Sequence, residues 1–160
     1  MSEEYQVINN STDVDKVALT YFSFINGKYL KSALECFADK EGYGQEIVFI
    51  SFQSDLDDYD MAQLPKPLDD KHVLLELGYP AVEINQIAYL DFETFYKYLD
   101  EYVKKEIEKN PNESELMDLL IKVKSSLCVW FYIEKNRKRM FTLWRDVLDE
   151  VIILLDDELS

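Results

Sequence analysis

HVLLELGYPAVEINQIAYLDFETFYKYL, residues 72 to 99, is the stretch on which the fold turns. Its first half holds two runs rich in aliphatic and β-branched residues, His72 to Tyr79 and Ala81 to Leu90. They are separated by Gly78-Tyr79-Pro80, a turn-like break that suits an antiparallel pair of strands. At Asp91 the pattern changes. Phe92, Phe95, Tyr96, Leu99, Tyr102, Val103 and Ile107 recur at intervals of three and four, which is helical spacing. Asp91 stands where an N-cap is needed, Glu93 and Thr94 occupy the first turn, and Asn110-Pro111-Asn112 ends the helix after about Lys109.

Working outward, Ile47-Val48-Phe49-Ile50-Ser51-Phe52 has the composition of a further strand. Glu41-Gly42-Tyr43-Gly44 before it reads as a turn whose glycines supply positive φ. Between this strand and residue 72 runs an acidic loop, Ser54 to Asp70, with Asp55, Asp57, Asp58, Asp60, Asp69, Asp70, Pro65 and Pro67, the most irregular stretch of the chain. Upstream, the cap-rich cluster Asn9-Asn10-Ser11-Thr12-Asp13 precedes Val14, Val17, Ala18, Tyr21, Phe22 and Ile25, and Gly27 stops that helix. Tyr29, Leu30, Ala33, Leu34 and Phe37 repeat the spacing, so residues 13 to 38 form a helical hairpin.

Downstream, Ser114 to about Leu127 continues as a helix with Leu116, Leu119, Leu120 and Val123 inward. Residues 128 to 133 are open to either strand or helix. Residues 134 to 139 make a basic break, and from Met140 the spacing of Phe141, Leu143, Trp144, Val147, Leu148, Val151, Ile152 and Leu155 is again helical. No repeat or linker interrupts the chain. The expectation is one α+β domain over residues 1 to 160, with an N-terminal helical hairpin, a small antiparallel sheet of about three strands and C-terminal helices.

Of the 160 residues 48% are hydrophobic and 14% aromatic, so the formal charge of −15 belongs to a folded surface and not to a disordered acidic tail. Residues 1 to 100 carry 19 acidic and 7 basic side chains, against 13 and 10 in the remainder. Acidity is therefore polarised toward the front of the chain. Such a field repels nucleic acid and anionic lipid and attracts basic proteins. No apolar run approaches a membrane span, and Met1-Ser2-Glu3-Glu4-Tyr5 is acidic where a signal peptide is basic, so a cytoplasmic location is expected.

Chemistry of other kinds finds little support. His72 is the single histidine, which removes most nucleophilic triads and multi-histidine metal sites. Cys36 and Cys128 are too far apart in sequence for a zinc knuckle or redox pair and read as buried thiols. Asp55 to Asp60 has alternating carboxylates but lacks the turn glycine and terminal glutamate of a calcium loop. No phosphate-binding glycine motif is present, and carboxylate pairs among 32 acidic residues have no specificity. No catalytic residue, metal or cofactor is assigned. The acidic loop can imitate phosphates and lie against the Lys and Arg residues with which a nuclease holds its substrate.

Tyr29-Leu30 through Ala33-Leu34-Glu35-Cys36-Phe37, then Lys40-Glu41-Gly42-Tyr43-Gly44, the acidic loop, Glu76 to Ile87, and Leu90-Asp91-Phe92-Glu93-Thr94-Phe95-Tyr96-Lys97-Tyr98-Leu99 form a succession with a parallel elsewhere. It resembles the CdiI-type ribonuclease toxin immunity proteins of bacterial contact-dependent growth inhibition, over about two thirds of the chain. The part after Cys128 departs from that pattern. The resemblance implies a cytoplasmic antidote that forms a heterodimer with a basic nuclease toxin C-terminal domain and blocks its active site. Effective protection needs nanomolar binding, about −12 kcal/mol, and hence aromatic anchors in addition to charge.

Candidates for the toxin-facing surface are Glu41, Tyr43, Asp55, Asp57, Asp58, Asp60, Asp69 and Asp70, with Gly42 and Gly44 serving turn geometry. Reversing three of the loop aspartates is expected to slow association without unfolding the chain. Two other readings stand beside this one: an acidic protein-binding adaptor or SMI1/KNR4-like immunity domain with a different toxin partner, and a metal-dependent or carboxylate-based enzyme. A chain poor in histidine and glycine fits a binder better than an enzyme.

Overall fold

The corner at Asp91 forms as its residues dictate. Strand β5, Asn85–Asp91, runs directly into helix α4, Phe92–Lys109, and the Asp91 carboxylate caps the helix by accepting from the Thr94 amide at 2.7 Å. The computed structural model describes residues 4–112 and 114–128, and the chain divides after Leu127, so the fold below is that of the first unit. Before β5 come β1 (Tyr5–Val7), α1 (Ser11–Phe24), α2 (Lys28–Ala38), β2 (Tyr43–Gln45), β3 (Val48–Ser51), a single 3-10 turn at Gln53–Asp55, α3 (Asp58–Gln63) and β4 (His72–Leu77). Helix α5, Ser114–Cys128, follows α4. None of the described helices is long and apolar enough to cross a membrane.

The class is α+β as expected, and the helical hairpin forms, with Asn10 capping α1 and Gly27, at φ 63°, joining α1 to α2. The sheet is larger than the expected three antiparallel strands. Its order is β1-β5-β4-β3-β2, antiparallel except that β1 runs parallel to β5. The two additional strands are the edges, each of three residues. Such short pieces carry no readable period and exist because a neighbouring strand offers its backbone groups. The residues from Ala81 to Ile84, expected as strand, lie outside β5.

The turn around Glu41 also differs from expectation. Positive φ occurs at Lys40 (55°) and Glu46 (54°), on either side of β2, and not at Gly42 or Gly44. Those two glycines are required by close approach. A Cβ on Gly42 would meet the Ile50 carbonyl oxygen at 2.4 Å, and one on Gly44 would meet the Phe49 ring at 2.2 Å. The stretch from Ser54 to Asp70 is likewise more regular than expected, since it contains part of the 3-10 turn and all of α3.

Strand alternation divides the sheet into two covered faces. Val48, Ile50, Val73, Leu75, Leu77, Ala88 and Leu90 point one way and are buried with the inward residues of the long helices, among them Tyr21, Phe22, Leu34 and Leu99. Phe52, just past β3, packs among Phe37, Phe92 and Phe95 with ring centroids 5.9 to 6.3 Å away. On the opposite face, Leu74 and Ile87 are covered by Leu68, Leu56, Met61 and Leu64. The acidic segment thus folds back across the sheet as its second layer, apolar side down and aspartates outward. Tyr96 and Tyr102, which share the helical spacing of α4, are only half buried. The expectations for Trp144, for residues 129 to 133 and for the helix from Met140 lie outside the described residues.

Candidate functional site

The strand register decides where the acidic residues meet. His72 pairs with Asp91, Ser51 with Leu74 and Tyr43 with Ile50, so the starts of β2 and β4 lie at the same end of the sheet as the ends of β3 and β5. Glu41 precedes β2, Asp55 follows β3, and Asp69 and Asp70 precede β4. These four candidates from distant parts of the sequence therefore gather at one end of the sheet, and Asp91 joins them. Asp57, Asp58 and Asp60 continue from that end onto α3.

Several of these carboxylates have work inside the fold. Asp55 accepts from the amides of Gly42 at 2.8 Å and Phe52 at 2.7 Å, tying the β2 approach to the end of β3. Asp57 and Asp60 form a reciprocal capping box at the start of α3, each accepting from the other's amide. Asp69 accepts from the Lys71 amide at 2.9 Å and pairs with His72 Nδ1 at 2.7 Å, and this pairing, with His72 as the chief cause, holds its carboxyl below the usual range. Glu41, Asp58 and Asp70 are exposed, with no side-chain hydrogen bond to a described residue. They are the candidates free to meet a partner. Tyr43 is half buried; its carbonyl accepts from the Tyr21 hydroxyl at 2.8 Å and its own hydroxyl accepts from Gln45 at 3.0 Å.

Cys36 reports on the same cluster. Its thiol is half buried and not fully enclosed, and it is pushed up first by desolvation and then by the negative charges of Glu41, Glu35, Asp39 and Asp55. A thiol so surrounded stays protonated and is a poor nucleophile. Glu35 on α2 and Asp39, the C-cap of that helix, act on the same thiol; sequence reading did not single them out, and their signal was the i, i+4 spacing. Lys40 lies over the Phe92 ring at 5.8 Å and Lys66 over Tyr89 at 5.4 Å.

Two aromatic side chains were also missed. Tyr59, between Asp58 and Asp60 on α3, is 71% exposed, and Phe49, on the outer face of β3, is 42% exposed. Phe49 was foreshadowed by strand alternation, which turns it opposite to Val48 and Ile50. The arrangement offers a carboxylate-rich surface with an exposed aromatic side chain, Tyr59, between two of its aspartates in sequence, suited to a cationic protein and not to an anion. Among the described residues no three metal-ligating side chains converge.

The family model described as CDI immunity protein matches residues 13–120, more than half of the chain. The chain belongs to the CDI immunity protein family. The matched span runs from the first turn of α1 into α5 and contains every candidate residue named above. Membership implies an immunity function against a toxin. No curated protein matches the chain.

Proposed function

We propose that this immunity protein neutralises a basic nuclease toxin, a ribonuclease, by laying its acidic sheet end and α3 over the toxin's substrate-binding surface in the cytoplasm. The observation that carries the reading is the gathering of Glu41, Asp55, Asp69 and Asp70 by strand register, with Glu35 and Asp39 beside them. A nuclease holds its substrate with Lys and Arg, so an acidic lid gains steered association and occupies the groups that catalysis needs. Asp58 and Tyr59 on α3 supply a charge and an aromatic anchor at adjacent positions. The chain acts by binding, without catalysis or cofactor.

Calorimetry with the toxin domain encoded immediately upstream tests this, paired with an assay of RNA cleavage. One-to-one binding with loss of cleavage is the expected result. A folded, active toxin that the protein neither binds nor inhibits would overturn it.

A further inference from the structure

Helix α4 carries Glu93, Lys97, Glu101 and Lys105 at successive intervals of four, all exposed. The signs alternate, and the alternation has a particular symmetry. When two such helices cross antiparallel about a point between Lys97 and Glu101, Lys97 of each copy faces Glu101 of the other and Glu93 faces Lys105. Every cross-pair is then of opposite sign, as an isologous interface requires. Rows at intervals of four are also the ridges by which helices most often interlock.

Beside this row lies a groove of about 450 Å³ between α1 and α4, lined in part by Phe22, Tyr98 and Tyr102. Phe22 and Tyr102 stack at 4.8 Å, and Tyr98 donates to Asp15 across the groove. Leu19 lines it from α1 with 71% of its surface exposed, a large apolar side chain without cover. The rest of the surface discourages self-association, because two copies each of charge −15 repel. On the α4 row the charges sum to zero, so repulsion is locally lifted where apolar surface is offered.

We infer that two copies of this chain pair through α4, antiparallel about a two-fold axis, with Leu19 of each copy entering the α1–α4 groove of the other. The residues varied, Leu19, Lys97 and Glu101, are none of the acidic-end candidates, so the test does not depend on the toxin. Sedimentation velocity of the full chain, from micromolar to sub-millimolar concentration, reads the mass directly. The wild type sediments as a concentration-dependent dimer. Lys97→Glu and Glu101→Lys, each placing like charges opposite one another twice, each weaken the dimer roughly tenfold or more. The double variant recovers it, because exchanging the two signs keeps every cross-pair opposite. Leu19→Asp gives a monomer with an unchanged circular dichroism spectrum.

A wild type that stays monomeric throughout overturns the inference. So does a dimer that none of the variants weakens, which would place its interface elsewhere. A monomer whose binding to the upstream toxin domain is lost in Leu19→Asp likewise overturns it and gives the groove to the toxin.

Discussion

Asp55 shows how an acidic residue can serve structure and surface together. One carboxylate oxygen holds the amides of Gly42 and Phe52, while the residue as a whole remains exposed and contributes its charge to the acidic end. Asp55→Ala removes two charge-assisted hydrogen bonds and is expected to lower stability by about 1–3 kcal/mol, read by urea denaturation. A variant as stable as wild type would show that the clamp is dispensable. Cys36 gives a second prediction at this scale. In a Cys128→Ser background its alkylation rate should rise with pH along a curve displaced above that of an unstructured cysteine peptide, because burial and four carboxylates disfavour the thiolate. A midpoint at or below the peptide value would remove those charges from its surroundings.

At the scale of the element, the junction of β5 and α4 was the most legible part of the chain. The hydrophobic period changes there, the capping residue is present, and the observed helix begins one residue after Asp91 and ends at Lys109. Asp91→Ala is expected to cost about 1 kcal/mol in thermal or chemical unfolding through loss of the cap. Asp91→Asn should retain most of that stability, and equal losses in the two variants would point to the charge and not to the cap. Elements that lack a local signal were the ones missed. Strands β1 and β2 have three residues each and owe their conformation to β5 and β3. Helix α3 was hidden among aspartates, although Asp57 and Asp60 at cap spacing and Leu56, Met61, Leu64 and Leu68 at intervals of three to five contain its logic. The same residues explain why an acidic segment stays ordered: its apolar side completes the second sheet face.

Over the whole molecule, charge placement is the property on which the proposed function rests. The front-loaded acidity was visible in the sequence, whereas its concentration at one sheet end depended on register, which relates residues separated by up to fifty positions. The eight candidates consequently separate into those that build the acidic end, such as Asp55, Asp57, Asp60 and Asp69, and those left free to make contact, Glu41, Asp58 and Asp70. That distinction selects the variant for a decisive test. The association rate of the upstream toxin domain with wild-type protein and with the triple variant Glu41→Lys, Asp58→Lys, Asp70→Lys should be measured by stopped flow at low and physiological salt. The account predicts fast wild-type association that falls steeply with salt, and in the triple variant an association slowed by roughly tenfold or more at low salt with a much flatter salt dependence. A triple variant that remains folded and associates as fast as wild type, with the same salt dependence, would contradict the claim that the acidic end receives the toxin.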